Sequence, residues 1–171
     1  MFPDVVHGGP TEYMMGLKKA KEAVSIPVIA SLNAVYDESW VTFAQKIEAV
    51  GIDGIELNLY TVPKDMDSGA IDIIDWQIDI LKKIRKAINI PIAVKLSPYY
   101  SNPLNLIKKM DDAGADAFVL FNRFFQPDIN IDTEELIFPR NLSSDGDYRL
   151  ALRFMGLLYN QIDGKLCGSR G

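Results

Sequence analysis

One cysteine, Cys167, and one histidine, His7, are all that the 171 residues hold of those two types. A single cysteine excludes an intrachain disulfide and a cysteine-based zinc cluster. A Ser-His-Asp triad would have to be assembled on the segment around His7, beside Gly8, Gly9 and Pro10. That segment reads as a solvated loop. Basic runs are missing and the formal net charge is −5, which argues against nucleic acid as a partner, since binding it requires a positive patch. No apolar stretch approaches the roughly 18 residues of a membrane span, so no membrane partner is expected. The opening MFPDVVHGGPTEY has neither the basic start nor the apolar centre of a signal peptide, and the expected location is cytoplasmic. What remains is an ordinary globular balance, 48% hydrophobic and 24% charged residues, with enough chain for one domain around a real core.

Short apolar runs recur, each ending in a polar residue: PVIASLN at 27–33, GIELN at 54–58, PIAVKLS at 91–97 and AFVLFN at 117–122. Near-continuous Val/Ile/Leu runs are the mark of parallel strands buried on both faces. The polar endings are Asn33, Asn58, Lys95 and Asn122. In βα-barrels the C-terminal ends of strands carry the chemistry, so three amides and one amine there resemble the inner wall of a site. The runs also repeat in pairs. Ile26-Pro27 returns as Ile90-Pro91, and Val50-Gly51-Ile52-Asp53 returns as Ala113-Gly114-Ala115-Asp116. A spacing of about 64 residues is close to two βα units of an eight-unit barrel.

Between the strands lie helix-patterned segments at 11–24, 37–50, 71–88, 102–113 and 147–160. Thr11 and Asp37 are candidate N-caps, and Asn102 caps a helix that has Pro103 at its first position. Trp40, Phe43, Ala44 and Ile47 share one face of the second helix, a stripe best explained by packing on the sheet. Ile74, Ile78, Leu81 and Ile84 do the same on the third, whose Lys82, Lys83, Arg85 and Lys86 read as a solvated face suited to the helix dipole. Residues 123–146, RFFQPDINIDTEELIFPRNLSSDG, break the rhythm with alternating DINID and EELIF segments. They read as an inserted hairpin or lid. A fifth strand, KLCGS, follows at 164–168, and its Cys167 is expected to be a small buried hydrophobe. Strand–helix alternation implies an α/β fold with right-handed crossovers and a parallel sheet. Five strands suit either a doubly wound sheet or part of a barrel.

The strand endings ELNLYTVP, AVKLSPYY and VLFNRFF, in that order and spacing, resemble the flavin-dependent dihydroorotate dehydrogenase family, and most of all its dihydroorotate dehydrogenase-like branch. The resemblance runs from residue 11 to 171. It implies a partial (β/α)8 TIM barrel, strands three to seven of eight, in a single FMN-binding domain with a lid-like insertion at about 123–146. It further implies an FMN-dependent dehydrogenase that oxidises dihydroorotate, or a related dihydropyrimidine, to orotate in pyrimidine biosynthesis.

Site roles follow from the same resemblance. Asn58 would touch both flavin and substrate, Lys95 would stand near the flavin N1–C2 carbonyl region, and Asn122 would bind the pyrimidine. Gly168, Ser169 and Gly171 would open the glycine-rich turn for the FMN phosphate, with Arg170 where a further glycine is expected. The base that takes the substrate proton would sit on the loop after Asn58, where the family has cysteine or serine and this chain has Thr61. Pro63 replaces an expected asparagine on the same loop. The chemistry of these residue types is coherent in itself. A fixed cation stabilises charge that develops near flavin N1, amides match a ring of alternating N–H and C=O groups, and glycines admit a phosphate to backbone N–H groups.

Plainer roles exist for the same residues. Lys95 has an acidic neighbour in Glu56 with which to form a structural ion pair, and Asn58 and Asn122 suit loop capping. Two rival functions stay open: a Schiff-base lyase using Lys95, and a non-catalytic fragment. A partial barrel would expose strand edges, so association with a second copy or completion by another chain is expected.

Overall fold

The structure, a computed structural model, describes residues 9–34, 37–59, 66–123, 127–137 and 144–169. In chain order it has α1 (Pro10–Ala23), β1 (Ile29–Leu32), α2 (Asp37–Ala49), β2 (Gly54–Leu57), α3 (Ala70–Ala87), β3 (Ile92–Leu96), α4 (Pro103–Asp112) and β4 (Ala117–Leu120). A hairpin follows, β5 (Asp128–Asn130) and β6 (Glu135–Ile137), then α5 (Tyr148–Leu158) and β7 (Lys165–Gly168).

The helices form where the apolar spacing places them. α2 buries Trp40, Ala44 and Ile47, and α3 buries Ile78, Leu81 and Ile84 together with Gln77 and Ile80. Asn102 caps α4, its side-chain oxygen accepting the Asn105 N–H at 3.1 Å. Thr11 is not the cap of α1. Gly9 occupies the N-cap and Pro10 opens the helix, because proline lacks the N–H that a first turn leaves unused and its φ is already helical.

β1, β2, β3, β4 and β7 form one five-stranded sheet in that order, every pair parallel. A doubly wound sheet reverses its strand order at a switch point; this one never does. Right-handed crossovers between successive neighbours put the helices on one face, and α2 touches α3, α3 touches α4, and α4 touches α5. The fold is α/β, a parallel sheet making about five of the eight βα units of a TIM barrel.

Side chains alternate across the sheet. Ile55, Leu57, Ile92, Val94, Phe118 and Leu120 are fully buried under the helices. The intervening residues, Glu56, Ala93, Lys95 and Ala117, lie on the other face and keep part of their surface. Cys167 also falls on that face, level with Val119 of β4. It is exposed, not buried. It stands on an edge strand, on the face opposite the buried side chains, so strand character alone does not bury it.

The internal repeat is a repeat of fastenings. Gly51 and Gly114 both adopt positive φ, +86° and +99°, the conformation that ends a helix in glycine. Two residues on, Asp53 accepts the Val28 N–H at 2.7 Å and the Lys21 ammonium at 2.6 Å. Asp116 accepts the Ile92 N–H at 2.7 Å and the Arg85 guanidinium at 3.0 Å. The Lys21 bond first, and then the Val28 N–H, hold the Asp53 carboxyl below the usual carboxylate range. One turn before each glycine the match continues. Glu48 accepts the N–H groups of Asn89 and Ile90, and Asp111 those of Asp163 and Gly164. Each unit thus ties a helix end to the entrance of a strand beyond it.

The basic cluster of α3 is only partly a solvated face. Lys83 pairs with Asp79 at 2.6 Å. Arg85, besides Asp116, donates to the carbonyls of Ile88 and Ile90 at 2.7 and 3.1 Å, and so closes the turn between α3 and β3. The insertion contains the expected hairpin, with Ile129 opposite Leu136. Arg123, just past β4, pairs with Asp147, just before α5, at 3.3 Å.

Replacing Arg85 by alanine takes the side-chain donor from two loop carbonyls and leaves Asp116 with only the Ile92 N–H. The expected loss is about 1–3 kcal/mol, against no more than about 0.5 kcal/mol for Lys82→Ala on the same helix. Urea unfolding of the two variants measures the difference; equal losses would return Arg85 to the solvated face.

Candidate functional site at the C-terminal edge of the sheet

The sheet ladder continues past the ends of its strands, by one residue after β2 and by two after β4. The Asn58 N–H donates to Leu32 O at 2.9 Å and the Asn122 N–H to Leu96 O at 2.7 Å. Both asparagines are therefore anchored through their backbones at the end of a rigid strand. Their side chains meet: Asn122 Nδ2 donates to Asn58 Oδ1 at 2.7 Å, and both are partly buried. β2 and β4 are not neighbours, since β3 lies between them. With strands about 4.8 Å apart, the amide pair spans the exit of β3.

Lys95 is on that middle strand. Leu57 pairs with Val94, so the next residues, Asn58 and Lys95, are level with each other. The Lys95 ammonium does not stay at that level. Its Nζ lies 3.6 Å from Glu56 Oε1, one step back along β2. Glu56 also accepts the Ser31 hydroxyl at 3.1 Å from β1, and the Ser31 carbonyl accepts the Tyr13 hydroxyl of α1 at 2.8 Å. Burial raises the Tyr13 pKa, and the bond to Ser31 opposes the rise. Three neighbouring strands thus carry a row from Ser31 through Glu56 to Lys95, beneath the pair of amides.

The other residues singled out in the sequence fall into three groups. Asn33 lines a hollow of about 280 Å³ with Tyr13, Ser31 and Phe43, so it adjoins the Tyr13–Ser31 end of that row and not the amide pair. Gly168 and Ser169 end β7 at the same edge of the sheet. A Cβ on Gly168 would meet Met155 Sδ at 3.1 Å, and the Ser169 N–H is engaged by Leu120 O at 2.7 Å. The Ser169 hydroxyl is then what that residue has to offer a phosphate. Thr61, with Tyr60 and Pro63, lies outside the described residues, as do His7, Arg170 and Gly171.

A cleft of about 380 Å³ opens between α3 and α4 and is lined by Ile71, Ile74, Ser97, Tyr100, Asn102 and Leu106 among others. It is distinct from the amide–ammonium cluster, since none of Asn58, Lys95 and Asn122 lines it. Its floor is tied by Tyr100, whose hydroxyl bonds the fully buried Gln77 at 2.9 Å. Burial raises the Tyr100 pKa, and the Gln77 bond acts against it.

Ser31 is the site residue that the sequence reading passed over. A signal existed. Ser31 stands at the place of Lys95 one repeat earlier, on the same face of its strand, and a hydroxyl there is a donor aimed at the strand between them.

No family model matches the chain. Among curated proteins it is 26% identical over 156 residues to the catalytic subunit of dihydroorotate dehydrogenase B (NAD(+)) of Bacillus cytotoxicus, covering 88% of this chain and 50% of that protein. It is 26% identical over 171 residues to the corresponding subunit of Methanocaldococcus jannaschii, covering 95% of this chain and 55% of that protein. The chain is thus dihydroorotate dehydrogenase-like, and it spans about half the length of the curated relatives it matches. Among solved structures it resembles a phosphonopyruvate hydrolase with a TM-score of 0.55 at 19% identity, over 72% of this chain and 46% of that one. That likeness concerns the fold alone.

The bond across β3 is testable by a double-mutant cycle. Asn58→Ala and Asn122→Ala should each destabilise, and together by less than the sum, with a coupling of about 0.5–1.5 kcal/mol. Additive losses in thermal unfolding would mean that the two amides do not depend on each other.

Proposed function

We propose that this chain supplies one wall of the active site of an FMN-dependent dehydrogenase acting on dihydroorotate or a related dihydropyrimidine. The observation that carries the reading is the convergence of Asn58 and Asn122 above Lys95 at the C-terminal edge of a parallel sheet. The similarity to dihydroorotate dehydrogenase catalytic subunits supports it.

The residues present fit a flavin and a pyrimidine. An amide pair offers donors and acceptors to the alternating N–H and C=O groups of either ring. An ammonium on a rigid strand, partly shielded from water, offers a positive charge where a ring gains electrons. FMN, when bound, supplies the acceptor for the hydride that leaves the substrate. Asn58 and Asn122 then orient the ring edges, Lys95 balances charge, and Gly168 and Ser169 serve the phosphate, with Gly171 the further proposed member of that turn. Thr61 is the proposed group that takes the substrate proton, and the insertion at about 123–146, with its hairpin, is the proposed lid. The Schiff-base reading needs a neutral amine, whereas Lys95 is ion-paired with Glu56.

Among the described residues β1 and β7 are edge strands with no strand partner on one side, although Tyr13 of α1 bonds the Ser31 carbonyl of β1, and the face that holds Lys95 keeps part of its surface. Ile29 on that side is 62% exposed. Open strand edges pair with other strands, and we infer that further strands complete the wall, from another chain or a second copy. Among the described residues no helix is long and apolar enough to cross a membrane, and the proposed location is cytoplasmic.

Three experiments test the reading. The isolated chain should bind FMN weakly or not at all, whereas titrating FMN into the assembly that completes the wall should quench flavin fluorescence to a stoichiometric end point. In the FMN-loaded protein, Lys95→Ala should lower the rate of flavin reduction by dihydroorotate by about 10²–10³-fold, with little loss of thermal stability. Full turnover in that variant would make Lys95 structural. Light scattering after size-exclusion chromatography should show an assembly larger than one chain; a compact monomer that holds stoichiometric FMN would show that the five strands close the site by themselves.

A further inference from the structure

Lys95 joins the site from the level of Asn58, yet its ammonium leans back toward the N-terminal end of the strands, to Glu56. The carboxylate that draws it there is itself held. Ser31 donates to the same oxygen, Oε1, that faces Lys95, and Tyr13 bonds the Ser31 carbonyl. Both members of the ion pair are mostly shielded, with side chains 24% and 19% exposed. A lysine stem has four methylenes and several rotamers, so the ammonium can lean to Glu56 or rise toward the amides, about one strand step away.

We infer, building on the functional reading above, that Glu56 is a positioning residue. It is a counter-charge that competes with the ligand at the strand ends for the Lys95 ammonium, and Ser31 holds it in place. An ammonium shared with a fixed carboxylate presents little net charge. A neutral ring above it gains little from Lys95, and a ring that has become negative gains what it can draw away from Glu56. The carboxylate therefore sets how strongly the site prefers the reduced, more negative form of its cofactor over the oxidised one. A purely structural ion pair would hold the fold and leave that preference alone.

The test uses FMN as the probe and its midpoint potential as the readout, measured anaerobically by dye-coupled titration on the wild type and on Glu56→Gln, Glu56→Asp, Ser31→Ala, Lys95→Gln and the Glu56→Gln/Lys95→Gln double variant. Glu56→Gln should raise the potential, equivalent to a gain of about two- to fivefold in the preference for reduced over oxidised FMN, the range that a partly exposed pair supports. Glu56→Asp, which keeps the charge, should stay near the wild type, and Ser31→Ala should shift the same way as Glu56→Gln by less. With Lys95 already replaced, Glu56→Gln should move the potential by less than half as much. If FMN binds and neither Glu56→Gln nor Ser31→Ala moves its potential, the inference is wrong and the functional reading stands. An undiminished shift in the Lys95→Gln background also overturns it, since Glu56 would then act by its own field. A wild type that binds no FMN in the completed assembly overturns both. Should Glu56→Gln fail to fold by circular dichroism, Ser31→Ala and Glu56→Asp still decide.

Discussion

Asp53 and Asp116 stand where the chain turns from helix to strand, and each grips the backbone N–H at the entrance of the preceding strand. Those bonds pin the register of β2 against β1 and of β4 against β3. Register matters here more than any single contact, because a slip of one residue turns every side chain of a strand to the other face. In the register observed, Ile55, Leu57, Val94 and Leu96 go under the helices while Glu56, Asn58 and Lys95 go to the opposite face. The same carboxylates recruit Lys21 and Arg85, so helix, turn and strand are fixed at a single point in each repeat.

The site inherits its geometry from that frame. Asn58 and Asn122 make the same backbone bond in the two repeats, each N–H donating to the last carbonyl of the strand before, with Asn122 one residue further past its strand. Two like residues placed by a repeat on alternate strands leave a gap one strand wide, and their amides close it above β3. Lys95 enters from that middle strand, and the position one repeat before it is a serine. The repeat therefore supplies a symmetric pair of amides and an asymmetric pair beneath them, a hydroxyl and an ammonium, with the Glu56 carboxylate between. Symmetry positions; its breaking puts a charge on one side.

Much of this was legible in the chain. The periodicities marked every strand of the sheet and every helix to within a few residues, the Asn102-Pro103 cap held, and the polar strand endings named Asn58, Lys95 and Asn122 before any geometry was known. The misses share a cause. Cys167 looked buried because strands usually are, yet exposure depends on which face and which edge a strand takes. Arg85 looked solvated because it sits among lysines at a helix end, yet its partners are loop carbonyls that become neighbours only when α3 docks on β3. Gly9 with Pro10 displaced Thr11 because proline at the first turn outweighs a weak cap.

By itself the sequence determined the alternation of strands and helices, the two-unit repeat, and the residue types waiting at the strand ends, because period, turn glycines and β-branched runs are local properties of the chain. Only the tertiary structure decided the strand order, and with it the barrel-type wall over a doubly wound sheet, since both are written with the same alternation. It alone decided that two asparagines meet over a strand that neither is next to, and that the lysine between them leans toward Glu56. Those outcomes depend on register and distance between segments far apart in the chain, which no local pattern encodes.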